Sequence, residues 1–194
     1  MDDRIAIWSA THRIGLLDGP SVWLGTIDKV GAVWIVLAVV LGVLQRRGWW
    51  GTAGLALLTA LATFAADSLS FGIKDLTSRP RPFEAHPQIH PLYVVHSSSF
   101  PAGHAATAFA AAVLLSYAAP KLAPAFVALA ALIGWSRVYD GVHYPTDVLA
   151  GAALGAVVGA AAAGFLRLAE RRSGSAFRPS WTGQRRRRNV RSAA

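Results

Sequence analysis

The chain has 194 residues, a length for one domain, and 54% of them are hydrophobic, giving a mean hydropathy of +0.40 that exceeds what a soluble globule of this size carries. Its net charge of +9 does not describe a nucleic-acid face, because from Arg167 onward nine arginines stand against Glu170 and the tail alone holds +8. No cysteine is present, so disulfides and thiolate chemistry are excluded.

The start, Met1-Asp2-Asp3-Arg4, is too acidic for the leading region of a signal peptide, so the first apolar segment is expected to stay in the mature protein. Residues 5–27 mix apolar positions with Arg13, Asp18, Gly19 and Pro20, which predicts short helices lying at the membrane interface with Trp8 and Trp23 at headgroup depth. Residues 30–44 are a pure apolar run that Lys29 and Arg46 lengthen by snorkelling, and they form the first expected crossing. A second follows over 49–73. Its Asp67 either faces protein or a wet cavity, or marks a helix end near the interface.

Residues 74–100 turn polar and carry Pro80, Pro82, Pro87 and Pro91, a pattern that predicts an exposed loop. Two more apolar runs, 105–119 and 122–135, are joined by Pro120-Lys121 and read as a helical hairpin. The last span, 148–168, contains Gly151, Gly155 and Gly159 at intervals of four, a stripe that lets another helix approach closely. The expectation is therefore an all-α integral membrane helical bundle of about five transmembrane helices plus amino-terminal interfacial helices. Residues 1–170 make one domain, and 171–194 a disordered basic tail.

Arg46, Arg47, Lys121 and the arginine tail fall on one side of such a bundle, which the positive-inside rule makes cytoplasmic. The tail is expected to contact anionic lipid headgroups, not nucleic acid. The polar segments then share the outer face.

Those segments carry the chemistry. Lys74, Arg79, Arg81 and Arg137 border apolar spans without matching acids, which points to a bound anion, most simply a phosphate. Ser99-Phe100-Pro101-Ala102-Gly103-His104 reads as a helix start with proline in the first turn, where free N–H groups and the helix dipole favour an anion and His104 can donate a proton. Around 136–147, Pro145 starts the last span and sets Asp147 four residues after His143. A carboxylate there can fix the imidazole tautomer and leave the other nitrogen as a nucleophile. In isolation such a pair reads as structural.

Together the motifs resemble the type 2 phosphatidic acid phosphatases, membrane relatives of vanadium-dependent haloperoxidases. Lys74, six residues, then Arg81-Pro82 fits that family's first motif, and Ser136-Arg137, five residues, His143, three residues, Asp147 fits its third. The second reads Pro101-Ala102-Gly103-His104, with alanine where the family usually has serine. Loss of one hydroxyl donor to phosphate costs about 1–3 kcal/mol and touches rate, not reaction class. The resemblance implies a metal-independent phosphatase without cofactor, in which His143 attacks phosphorus, Asp147 orients it, and His104 protonates the leaving oxygen. It further implies that Lys74, Arg81, Arg137, Gly103 and Ser136 bind the phosphate.

A compact chain of this kind resembles bacterial polyprenyl (undecaprenyl) diphosphate phosphatases of lipid-carrier recycling in the inner membrane. Phosphatidic acid, phosphatidylglycerol phosphate and a phosphorylated prenyl sugar lipid are the alternative substrates. A non-catalytic lipid-phosphate binding or transport protein is the reading from another class, which Ala102 favours and the retained His104, His143 and Asp147 oppose. Arg79 reads as a second phosphate contact or a solvated charge, Asp140 as a partner of Arg137 or a surface acid, and His86, His90 and His96 as loop histidines.

Overall fold

In a computed structural model, residues 1–172 are described, and the basic tail from 173 onward lies outside the described residues. Two short helices, α1 (Asp2–Thr11) and α2 (Gly15–Ile27), lead through a single 3-10 turn at Lys29–Gly31 into α3 (Ala32–Leu44). Gly31 has φ +74, a conformation that glycine takes without a Cβ penalty, and the chain bends by 70° between α2 and α3. Trp8 and Trp23 are largely exposed.

Helix α4 (Gly48–Thr77) has no internal proline and extends for about 45 Å. The polar loop contains one further turn, α5 (Pro82–Ala85), before α6 (Gly103–Ala118), α7 (Ala123–Tyr139) and α8 (Pro145–Arg172). Helix α6 is alanine-rich and occupies the centre, with α4, α7 and α8 packed around it. Its small side chains let α8 come close. A Cβ on Gly151, Gly155 or Gly159 would meet the carbonyl oxygens of Ala102, Ala106 and Ala110 at 2.3, 2.2 and 2.4 Å. Trp34, Leu55, Leu115 and Ile133 close the core on the other side of α6.

The five apolar runs all become helices, and the bundle is that of an integral membrane protein. Three stretches, Gly48–Ala85, Pro120–Tyr139 and Pro145–Arg172, are long and apolar enough to cross a membrane, and α2 with α3 makes a fourth if the bent pair counts as one span. Two of the expected crossings are thus shorter than a spanning helix: α3 has 13 residues and α6 has 16. Helix α6 is enclosed by other helices, so protein rather than lipid sets its length.

At one end of the bundle Gln45 donates to Ala118 O at 2.9 Å and Arg47 pairs with Glu170 at 3.4 Å. The motif residues gather at the other end.

Candidate active site

Helix α4 delivers Lys74 in its last turn and stops at Ser78, whose left-handed φ of 44° swings the chain into the loop. Lys74 Nζ donates to Ser98 O at 2.8 Å. Arg81 is the residue capping α5, and its backbone N–H bonds Glu84 Oε2 at 2.7 Å. Its guanidinium is only 2% exposed and is held by Ser97 O and Val142 O, both at 2.8 Å, and by Ser97 Oγ at 3.0 Å. Arg81 Nη1 also lies 3.4 Å from His143 Nε2. The cation is therefore fixed beside one nitrogen of the imidazole.

His143 sits in the loop between α7 and α8 with its other nitrogen, Nδ1, 3.5 Å from Asp147 Oδ2. That separation is an ion-pair distance rather than a formed hydrogen bond, and Nδ1 has no hydrogen-bond partner among the described residues. Asp147, fully buried in the first turn of α8, is occupied elsewhere: Oδ2 accepts from Ser99 Oγ at 2.5 Å and from the Tyr144 N–H at 2.8 Å, and Oδ1 accepts from Arg79 Nη1 at 2.5 Å. Burial pushes the His143 imidazole down to about 4, against the opposing pull of Asp147. The ring is neutral at pH 7. With Nδ1 facing the carboxylate, the tautomer that carries its proton there leaves a lone pair on Nε2, toward Arg81.

Helix α6 begins at Gly103 with Ala102 as its cap, so Pro101 precedes the cap instead of occupying the first turn. The Ala102 N–H is bonded to Asp147 O at 2.9 Å, which ties the start of α6 to the start of α8. A Cβ on Gly103 would lie 3.2 Å from Asp67 Oδ1 and 3.4 Å from Ser70 Oγ. Asp67 thus stands beside the start of α6, an exposed carboxylate next to a helix amino terminus. His104, one residue on, lies against the backbone of Gly25 and has Arg137, Lys74 and the His143 imidazole as its ionisable neighbours.

Arg137, on the last turn of α7, is 2% exposed and enclosed on every side. Nη1 donates to Tyr93 Oη at 2.6 Å, Nη2 donates to Ser21 O at 2.9 Å, and Asp140 Oδ2 is an ion-pair partner at 3.1 Å. A Cβ on Gly25 would fall 2.0 Å from Nη1, so only glycine lets α2 lie against the guanidinium. Burial pushes the Asp140 carboxyl up despite Arg137 and the 2.6 Å bond from Ser21. Of the two sequence readings for Asp140, the partner of Arg137 is the one observed. Ser136, expected to bind phosphate, donates its hydroxyl to Ile133 O at 2.7 Å and accepts from Arg137 Nε and Nη2, so it holds the arginine.

The structure thus gathers Lys74, Arg81, Gly103, His104, Ser136, Arg137, His143 and Asp147 at one end of the bundle. Four residues there have no signal in the motif spacing. Arg79 is neither a solvated charge nor free for phosphate, because it bridges Asp147 and Asp2. Ser99 occupies Asp147 Oδ2. Ser21 and Tyr93 serve Arg137 from segments far away in the chain. A cavity of about 620 Å³ opens next to Lys74 and Arg79, lined further by Phe71, Ser78 and His96.

A central helix whose amino terminus, two histidines, three cations and a buried carboxylate converge at one end of a membrane bundle defines a phosphate-processing membrane enzyme. The chain belongs to the PAP2 superfamily, whose family model matches residues 52–171. Among its relatives, decaprenylphosphoryl-5-phosphoribose phosphatase of Mycobacterium tuberculosis is 38% identical over 130 residues, covering 66% of this chain and 68% of the relative. Undecaprenyl-diphosphatase BcrC of Bacillus subtilis is 30% identical over 157 residues, covering 79% and 77%. The crystal structure of a PAP2-type phosphatidylglycerolphosphate phosphatase from Bacillus subtilis superimposes with a TM-score of 0.69 at 26% identity, covering 88% of this chain and 86% of that one. LpxE of Aquifex aeolicus gives 0.68 at 25% identity, covering 82% and 92%. Like these relatives, the chain is a phosphatase of the PAP2 family.

Proposed function

We propose that this phosphatase releases the terminal phosphate of a polyprenyl diphosphate at the outer face of a bacterial inner membrane, through a phosphohistidine on His143. The observation that carries the mechanism is the placing of His143 between Asp147 at Nδ1 and Arg81 at Nε2. The Nε2 lone pair attacks the terminal phosphorus and the P–O bond to the polyprenyl monophosphate, the leaving group, breaks. Lys74 and Arg81, with the Gly103 N–H, neutralise the oxygens that gain charge, Arg137 adds its field from within its own hydrogen-bonded cage and not as the phosphate contact expected from the sequence, and His104 protonates the leaving oxygen. Water activated by His104 then cleaves the P–N bond and returns the imidazole. No metal is needed for these steps.

The polyprenyl assignment rests on relatives named for such lipids over most of their length, including BcrC and an undecaprenyl-diphosphatase of Sulfolobus acidocaldarius, 31% identical over 74% of this chain. A phosphorylated prenyl sugar lipid is the second reading, favoured by the 38% identity to the decaprenylphosphoryl-5-phosphoribose phosphatase. Orientation follows from Arg46, Arg47 and Lys121 at the end opposite the site, with the basic tail in the cytoplasm against anionic headgroups.

The test is phosphate release by detergent-purified protein with EDTA present, offered undecaprenyl diphosphate, decaprenylphosphoryl-5-phosphoribose and phosphatidic acid. Faster release from the diphosphate, abolished in His143→Ala, supports the reading. Preference for the phosphoribose lipid selects the second. Full activity in His143→Ala removes the mechanism, and a carboxyl-terminal reporter found outside the cell removes the orientation.

A further inference from the structure

Helix α1 reaches the orienting carboxylate from outside the three motifs. Arg79 Nη2 donates to Asp2 Oδ2 at 2.7 Å while its Nη1 donates to Asp147 Oδ1 at 2.5 Å, so one guanidinium spans two carboxylates. Asp2 is itself anchored on α8: Oδ1 accepts the Thr146 N–H at 3.0 Å and Oδ2 accepts Thr146 Oγ1 at 2.5 Å. Arg79 also donates to Thr146 Oγ1 at 2.9 Å and lies over the Tyr144 ring at 4.1 Å. These bonds hold Asp2 below the usual carboxylate range against the opposing effect of its partial burial.

We infer that Asp2 and Arg79 are positioning residues for the phosphoryl-transfer step, Arg79 fixing Asp147 and Asp2 balancing the charge of Arg79 so that Asp147 keeps its full effect on His143. The inference rests on the phosphohistidine reading above. An arginine bound to Asp147 alone would draw the carboxylate's charge away from the imidazole. Shared with a second carboxylate, the same arginine supplies geometry with less electrostatic cost to its neighbour.

The other ionisable groups around His143 and Asp147 are Lys74 from α4, Arg81 from the loop, His104 from α6 and Tyr144 before α8, while the nearby acids Asp67 of α4 and Asp28 after α2 act on Lys74 and Arg137. Arg137 of α7 acts on His104 and is neutralised by Asp140, and Asp3 of α1 faces Tyr144 and pairs with His86 at 3.3 Å. Asp2 is therefore the carboxylate that balances Arg79 at Asp147.

Charge makes the two variants move in opposite directions. Asp2→Asn leaves Arg79 a net cation against Asp147, which lowers His143 basicity, so the acid limb of kcat shifts to lower pH and kcat falls about tenfold with KM within twofold. Arg79→Gln frees Asp147, and the acid limb shifts to higher pH while kcat falls through lost positioning. Asp2→Glu restores most of the loss. Kinetics from pH 4 to 8 in detergent, with thermal melting of each variant alongside, make the test. Opposed shifts of the limb support the relay. Shifts in the same direction, an unmoved limb, or a loss that tracks melting temperature alone overturn it and leave a merely structural latch. Labelling of wild-type protein by 32P-substrate at a residue other than His143 is the distinct result that overturns the underlying reading, and the relay with it.

Discussion

Ser99 Oγ and His143 Nδ1 address the same oxygen, Oδ2 of Asp147, the first from 2.5 Å and the second from 3.5 Å. The serine holds the bond in this arrangement, and long contacts of this type often tighten once substrate is bound. In Ser99→Ala the competitor is gone and the fully buried carboxylate turns to His143. The acid limb of the pH–rate profile should move up while kcat changes by no more than about threefold, and loss of a hydrogen bond to a charged group should cost roughly 1.5–3 kcal/mol of stability. An unmoved acid limb would show that Ser99 does not compete with the imidazole.

Arg137 and Asp140 are both essentially buried, and the arginine is saturated by Tyr93, Ser21 and Ser136. Removing one partner of such a pair strands the other charge, at about 3–5 kcal/mol. Asp140→Ala should therefore lower the melting temperature by roughly 10 °C in detergent. Asp140→Asn, which keeps the shape and the bond from Ser21, should lose less. Equal melting of wild type and Asp140→Ala would contradict the pairing.

The motif residues are legible in the sequence because their spacing is set by local geometry. Four residues from His143 to Asp147 carry the chain from the end of the loop into the first turn of α8, and Pro145 fixes where that turn begins. The partners of those residues are not legible. Ser21 reaches Asp140 across 119 positions and Asp2 reaches Thr146 across 144, and neither contact follows from periodicity or composition. The amino-terminal helices are readable as short and amphipathic, yet their packing over the site depends on Gly25 lying against Arg137, which only the fold brings together. Apolar runs locate helices well and their length in the membrane less well, because α6 is sheltered by its neighbours.

The His143 imidazole, pushed down to about 4 by burial, predicts acid sensitivity. Its ordinary value near 6.5 applies in the unfolded chain, so between about 6.5 and 4 the unfolded state binds a proton that the folded state refuses. The stability linked to this group is fully present above 6.5 and is lost as pH falls toward 4, by on the order of 3 kcal/mol. Melting temperatures at pH 7.5 and 5 should differ more for wild type than for His143→Asn. A difference that is identical in the two proteins would assign the acid sensitivity to other groups.

The glycine stripe of α8 links packing to chemistry along a gradient. Gly151 lies one turn beyond Asp147 and against the carbonyl of Ala102, the cap of the helix that carries His104, whereas Gly159 lies against Ala110 two turns further on. A methyl group at either position meets backbone at under 2.5 Å and must push α8 off α6, costing about 1–3 kcal/mol. Gly151→Ala and Gly159→Ala should thus lower the melting temperature by similar amounts. Only the first separates Asp147 and His143 from His104, so Gly151→Ala should reduce kcat at least tenfold while Gly159→Ala stays within about threefold. Melting and phosphate release measured on both variants decide it, and equal activity at matched stability would mean that the close approach of α8 to Ala102 serves packing alone.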